Sequence, residues 1–363
     1  MTLIRAGFLL FGLSLGLAAL VLPMLERRAM RSGPVDQPGG RKDHGRTTPL
    51  TGGIAILLAV TLPAVVGLLV ALLGEALVGD VLPEEIALHL EGIRTRAGEL
   101  LVILLGAGVL MIVGHLDDRH DLSAWLRLLT QVACASALVF CGVRITLFLP
   151  WPWLHGVVTV LFVVFITNAV NFVDNMNGLC GGLVLIGGLH LLALAVATNQ
   201  LFMAAILICL AGGLTAFLPR NFPVARSFLG DAGSTALGFL LASLTVAFTF
   251  TEGGPAWRPV VLPILVLAIP IADGVTVIAA RLARGVHPFT AGHDHLSHRI
   301  VRSGLTPVGA VLVLWGVQFV VGVPLLIAGD VGWPIVAAVW GPVAAVAAFA
   351  CFKLRLRSRE ASA

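Results

Sequence analysis

The chain has 363 residues, of which 58% are hydrophobic and only 12% charged, with a formal net charge of +4 and a mean hydropathy of +1.01. A soluble domain carries roughly 25% charged residues, so a soluble enzyme of this length is excluded and the chain is expected to be an all-α integral membrane protein. The five cysteines, at 134, 141, 180, 209 and 351, lie in or beside apolar runs without a CxxC spacing, which excludes a disulfide framework and a thiolate zinc site.

About 20 apolar residues cross a bilayer. Eleven such runs follow one another, near 3–25, 52–73, 100–116, 128–148, 152–170, 179–197, 201–218, 233–250, 259–280, 308–328 and 333–352. The first run is longer than the core of a signal peptide and lacks a clear cleavage site, so it is read as a retained span. Long polar loops fall at 26–51, 74–99 and 281–307, no internal repeat is evident, and residues 1–363 are expected to form one polytopic domain. An odd number of spans puts the termini on opposite sides. Of the 23 lysines and arginines, 18 fall after odd-numbered spans or in the C-terminal tail. The positive-inside rule then places the N-terminus outside and the C-terminus in the cytoplasm.

Polar patches recur at the ends of the apolar runs, and this topology puts all of them on the cytoplasmic face. In chain order the first is Asp36, Arg41, Lys42 and His44, leading to Pro49, Gly52 and Gly53 at the second span. Basic residues beside a glycine-rich helix start suit a phosphate, and a plain juxtamembrane basic loop is the alternative. After the third span come Asp117, Asp118 and Asp121. Neighbouring carboxylates repel, so holding them together calls for a cation or a proton, unless they form only a polar helix end meeting water.

Asn168, Asn171, Asp174 and Asn177 recur at steps of three and would line one slanted helical stripe if the fifth span continued to Gly178. Amides and a carboxylate on such a stripe can read a base or sugar edge, or can glue one span to another. Gly230, Asp231, Gly233 and Ser234 open the eighth span. Asp231 there is either a helix cap or an acid that holds Mg²⁺ against a phosphate. Asp273 lies deeper, about 12 Å along the ninth run from Arg281, where a buried acid requires a partner.

His287, His293, His295 and His298 then crowd into twelve residues with Asp294, Arg299 and Arg302. Such a loop could clamp a pyrophosphate or hold zinc, or simply be a solvated basic loop. The oxygen-rich patches elsewhere favour a hard divalent cation.

Taken together, these residues resemble the polyprenyl-phosphate N-acetylhexosamine-1-phosphate transferases, glycosyltransferase family 4, in their undecaprenyl-phosphate GlcNAc-1-phosphate branch. The resemblance runs from about Asp36 to Arg302 through RKDHGRTTPLTGG, GHLDDRHD, NAVNFVDNMNGL, FLGDAGSTALGF, PIAD and GHDHLSHR, in that order. It implies a multi-pass protein of the bacterial inner membrane whose active site faces the cytoplasm. There a lipid phosphate would attack the β-phosphate of a UDP-amino sugar, releasing UMP and starting lipid-linked envelope glycan synthesis.

Mg²⁺ is the implied cofactor, with Mn²⁺ as a substitute. By the resemblance Asp231 would be the metal ligand. Asp117 would handle the lipid phosphate and the metal's field, and Asp118 would support it. Asn168, Asn171, Asp174 and Asn177 would line the nucleotide pocket, with Phe228 stacking on uracil. Lys42 and His44, with His295, His298 and Arg299, would hold phosphates or sugar. Polyprenyl phosphate, a UDP-amino sugar and the bilayer are the expected partners. Nucleic acid is not among them, and a homodimer is compatible with this reading without being required.

Two departures from the family pattern stand out. Asn177 takes the place of an aspartate, and Ser297 breaks the run of histidines. An ion-coupled transporter and a scaffold of the same fold with altered catalysis are the rival readings. A transporter would place acids near the midplane, where only Asp273 approaches it.

Overall fold

A computed structural model describes residues 2–37, 47–77, 84–145, 150–248, 258–287 and 292–327. Thirteen helices occur among them: α1 Thr2–Ser32, α2 Gly52–Leu77, α3 Glu84–Thr95, α4 Ala97–His120, α5 Ala124–Phe140, α6 Pro152–Phe172, α7 Leu179–Ala197, α8 Leu201–Asn221, α9 Gly230–Ala247, α10 Arg258–Val266, α11 Ala268–Leu282, α12 Leu296–Arg302 and α13 Pro307–Ile327. Seven of these, α1, α2, α4 and α6 to α9, are long and apolar enough to cross a membrane, and the protein is a multi-pass membrane protein.

Of the remaining expected runs, the fourth is the 17-residue α5 and the tenth is α13. The eleventh expected run, 333–352, lies outside the described residues. The loop 74–99 contains α3, whose Arg94 Nε donates to the Ala71 carbonyl 2.5 Å away and so ties the loop to α2. The all-helical expectation needs one small addition. β1 (Val35–Asp36) pairs antiparallel with β2 (Thr48–Pro49), and Leu50 forms a parallel bridge with Phe228.

The ninth run is two helices instead of one. Pro270 has no N–H, so the Val266 carbonyl four residues earlier lacks its helical partner. The chain breaks at Leu267, and α13 repairs the gap. Fully buried Gln318 donates through Nε2 to the carbonyls of Val266 (2.9 Å) and Leu265 (3.1 Å), while its Oε1 accepts the Ile269 N–H (3.0 Å). In lipid every backbone polar group needs an internal partner, and one side chain supplies three.

Helix α9 is the hub, with every residue from Ala232 to Val246 buried. It packs on α4, α6 and α2, and the approaches are close because small residues meet there. A Cβ on Gly53 would stand 2.0 Å from the Gly233 Cα, one on Gly114 2.6 Å from the Ala232 Cα, and one on Gly238 2.9 Å from the Thr167 carbonyl oxygen. These contacts fix the start of α9 against the end of α4 and the start of α2. Lipid-facing side chains such as Phe8, Leu105 and Leu161 cover the outside.

Candidate active site

The ends of α1, α4, α6, α8 and α11 and the starts of α2, α5, α7 and α9 meet at one end of the bundle, and the polar patches collect there. Asp117 closes helix α4 with its own chain: its carbonyl accepts the N–H of Asp121 (3.0 Å), which turns left-handed at φ 51°, and its Oδ1 accepts the Leu122 N–H (2.7 Å). Its Oδ2 takes the Arg127 guanidinium at 2.6 Å. Arg127 also reaches Asp231 Oδ2 at 3.5 Å, so one cation stands between two acids.

Asp118 points instead at the start of α9. Its Oδ1 accepts the Asp231 N–H (2.9 Å) and its Oδ2 the Ala232 N–H (3.3 Å), a helix cap supplied by another helix. Gly230 makes room for it: at φ +71° it suits glycine, and a Cβ there would lie 2.6 Å from Asp118 Oδ2.

Asp231 therefore enters the site with its backbone fixed by Asp118 and its side chain by Asn171. The Asn171 amide donates to Asp231 Oδ1 and to Ser234 Oγ, both at 2.8 Å. One carboxylate oxygen is held by the amide while the other faces Arg127, and 38% of the side chain is exposed.

The asparagine stripe is not continuous. Helix α6 stops at Phe172, where the Asn175 side chain donates to the Phe172 carbonyl (2.7 Å) and competes with the helix for it. Asn168 and Asn171 remain on α6, while Asp174 and Asn177 lie in the turn that follows. Asn168 exchanges hydrogen bonds with Gln131 of α5, donating at 2.5 Å and accepting at 3.4 Å, an interhelical clasp. Asn177 donates to the Pro223 carbonyl (3.1 Å). The turn ends at Gly178, φ +80°, whose N–H is accepted by Asn221 Oδ1 (2.7 Å).

Asp174 sits within the field of Asp231 and Asp118. Burial, then the charges of Asp231 and Asp118, push its carboxyl up to about 8 although its rim is partly open. At neutral pH it holds a proton unless a cation offsets its neighbours.

The histidine loop is anchored from below by the deep acid. Asp273, 2% exposed, accepts the Leu296 N–H through Oδ1 (2.6 Å) and contacts His295 Nδ1 through Oδ2 (2.8 Å). This supplies the partner that the ninth run alone did not show. Asp273 caps α12 and orients the His295 ring, which also stands edge-on to Phe172 with centroids 6.3 Å apart. Ser297 Oγ donates to Asn175 Oδ1 (2.6 Å), joining α12 to the turn after α6.

Asp294 is clamped by Arg284 (2.7 Å) and Arg281 (3.5 Å). Burial raises its carboxyl, but the two guanidiniums outweigh that and hold it below the usual range. The Arg299 guanidinium donates to the Asp294 carbonyl (2.9 Å). His298 is lowered first by burial and then by His293, His295 and Arg302 around it, so it is neutral at physiological pH.

Phe228 joins the seam through its backbone: its N–H donates to the Pro49 carbonyl and its carbonyl accepts the Gly52 N–H, both at 2.9 Å. Lys42 and His44 lie outside the described residues. Sequence reasoning missed Arg127, Gln131, Asn175 and Asn221. Arg127 and Gln131 fall on one helical face of α5, four residues apart, and that spacing was the available signal. Asn221 lies at the end of a span, where a polar residue is expected on hydration grounds alone.

A helical membrane protein with acids, amides and histidines gathered at one end of the bundle defines the class. The chain belongs to glycosyl transferase family 4, whose model matches residues 100–249. It is 32% identical over 314 residues to the decaprenyl-phosphate N-acetylglucosaminephosphotransferase of Mycolicibacterium smegmatis, covering 79% of this chain and 73% of that one. It is 28% identical over 325 residues to the probable undecaprenyl-phosphate N-acetylglucosaminyl 1-phosphate transferase of Bacillus subtilis, covering 87% and 83%. The undecaprenyl-phosphate alpha-N-acetylglucosaminyl 1-phosphate transferase of Yersinia pestis is 28% identical over 291 residues, covering 77% and 72%.

Proposed function

We propose that this protein transfers N-acetylglucosamine 1-phosphate from its UDP-activated form to a polyprenyl phosphate, releasing UMP. An oxygen of the lipid phosphate attacks the β-phosphorus of the donor, the one that carries the sugar, and the bond from that phosphorus to the bridging oxygen breaks. The bridging oxygen leaves with UMP, and the product is a lipid pyrophosphoryl sugar. Three kinds of relative named for this type of acceptor and sugar support the reading. The observation that carries it is Asp231, fixed by Asn171 and Asp118 beside the Arg127–Asp117 pair at the start of the buried hub helix.

The chemistry suits these residues. A lipid phosphate has a second pKa of about 6, so it is largely dianionic at neutral pH and needs little deprotonation. The barrier is then set by charge and alignment more than by a general base. Asp117, committed to Leu122 and Arg127, acts as a positioning residue that holds the guanidinium near Asp231. His295, with Nδ1 turned to Asp273, keeps Nε2 for a phosphate or sugar oxygen, and Arg299 adds positive charge. Asn168 stiffens the α5–α6 contact, and Asp174 and Asn177 flank the nucleotide side.

The residues also fit Mg²⁺. No group of three or more acid, histidine or cysteine side chains converges into a protein-only cage among the described residues. Mg²⁺ commonly binds through one or two carboxylates together with substrate phosphates and water, which matches Asp231 with Asp174 close by. When bound, the ion would neutralise charge on the diphosphate. The reading places the site on the cytoplasmic face of the bacterial inner membrane, with eleven spans, the N-terminus outside, and the excess of arginine on the site's side.

The test is UMP release by detergent-solubilised protein with Mg²⁺ and polyprenyl phosphate. UDP-GlcNAc, UDP-GalNAc and UDP-MurNAc-pentapeptide are offered separately, beside Asp231→Asn. Lipid-dependent UMP from UDP-GlcNAc, lost at least 100-fold in the variant while its melting is kept, is the expected result. Silence with all three donors in folded protein would overturn the assignment.

A further inference from the structure

A second polar feature adjoins the β2–Phe228 seam through Pro49. The end of α1, strand β2 and the loop before α9 border an open cleft of about 470 Å³ lined by Arg27, Met30, Arg31, Thr47, Pro49 and Arg226 together with Glu26. Glu26 does not neutralise these arginines, because its carboxylate is already taken by both arms of the Arg220 fork. Arg27, Arg31 and Arg226 are exposed and show no counter-ion among the described residues. Three exposed cations thus line one cleft whose one lining acid among the described residues is already paired, a surface that attracts an anion.

The helix that carries two of them shows where the anion comes from. Leu9, Leu13, Leu20, Met24, Arg27 and Arg31 follow steps of three, four or seven, so they lie along one stripe of α1. The four apolar members are 58–73% exposed. The stripe therefore runs as bare hydrocarbon-facing surface for most of its length and ends in two arginines at the cleft. From Leu9 to Arg31 it covers about 33 Å at 1.5 Å per residue, roughly the thickness of a bilayer's hydrocarbon core. Apolar surface followed by a cationic cleft at the bilayer edge is complementary to one molecule of fixed polarity, an acyl chain ending in a phosphate.

We propose that this cleft is a binding site for the headgroup phosphate of an anionic bilayer phospholipid, separate from the catalytic cluster. Arg27 and Arg31 hold the phosphate from α1 and Arg226 from the loop before α9, with the lipid's chains lying on the Leu20–Met24 face. Because residues 227 and 228 lead from Arg226 directly into the seam that fixes α9, occupancy couples the lipid surface to the start of the hub helix. The site does not depend on the transferase reading.

The experiment measures melting and retained lipid, by native mass spectrometry, for purified full-length protein. The detergent is supplemented with phosphatidylglycerol, phosphatidylcholine, polyprenyl phosphate or inorganic phosphate. Arg27→Gln, Arg31→Gln and Arg226→Gln are compared singly and combined. Phosphatidylglycerol is expected to raise the melting temperature of the wild type and to be retained, with phosphatidylcholine doing neither. Each substitution weakens phosphatidylglycerol about fivefold, and the triple variant on the order of 100-fold. Melting in phosphatidylcholine stays unchanged, because the three side chains are exposed.

Full phosphatidylglycerol retention by the triple variant would overturn the proposal. So would equal stabilisation of the wild type by inorganic phosphate, which would make the cleft a free-anion site. Preferential retention of polyprenyl phosphate, lost in the triple variant, would reassign the cleft to the substrate lipid and overturn it as well.

Discussion

Replacing Asp118 with alanine separates a positioning role from a catalytic one. Its carboxylate accepts two backbone N–H groups at the start of α9, at 2.9 and 3.3 Å. Hydrogen bonds to a charged group contribute about 1.5–3 kcal/mol each, the longer one less. Alanine leaves both donors without a partner beside a buried helix, so a loss of about 3 kcal/mol is expected. At about 2 °C per kcal/mol, the low end for large domains, the melting temperature falls by roughly 6 °C. Asp118→Asn keeps one acceptor oxygen and loses the charge, and should fall by about half as much. The assay is thermal unfolding in detergent without divalent cations, with Asp231→Ala as the comparison. Asp231 accepts one side-chain amide, meets Arg127 only at 3.5 Å and is partly exposed, so its loss should move melting by no more than about 2 °C while abolishing turnover. Wild-type melting in Asp118→Ala would refute the capping argument.

Asp174→Asn tests the raised carboxyl. A folded-state value near 8 against an unfolded value of 3.8 means that the wild type loses stability as pH rises from about 4 to about 8, relative to a neutral side chain. In metal-free buffer the variant should therefore match the wild type near pH 4 and outmelt it by a growing margin up to pH 8.5, and parallel melting curves across that range would count against the repulsion. Gly53→Ala places a Cβ 2.0 Å from the Gly233 Cα, so α2 and α9 must separate. A loss of about 3 kcal/mol or more is expected, read as reduced melting and reduced yield of monodisperse protein. Gln318→Ala strips partners from two carbonyls and one N–H at the α10–α11 break. It should cost about 2–4 kcal/mol, and unchanged amide exchange at Ile269 would refute the repair.

Apolar length alone located α2, α4 and α6 to α9 to within a few residues, because a bilayer imposes one dominant requirement on each span. The ninth run misled for the same reason: hydropathy is blind to Pro270, and the compensation comes from Gln318, 48 positions later in the chain. The stop of α6 depends on Asn175 competing for one carbonyl, a local event inside a pattern of threes that also fits a continuing helix. Candidate site residues were legible as types at span ends. Their division of labour was not, since Asp117 and Asp118 are neighbours in sequence yet point at different helices. That division is set by α9 packing against α4, which no local pattern encodes.

The paired acids that cap foreign helices have a consequence for biogenesis. Asp118 serves a helix that begins more than a hundred residues later, and Asp273 serves α12 in the same way from 23 residues before. As the chain is made, the start of α9 enters the membrane with N–H groups that find their acceptor only when α4 is already in place. Lateral assembly of these spans and completion of the polar cluster are thus a single event. A bundle in which α9 has not yet met α4 would lack the Asp118 cap and leave those two N–H groups without their acceptor.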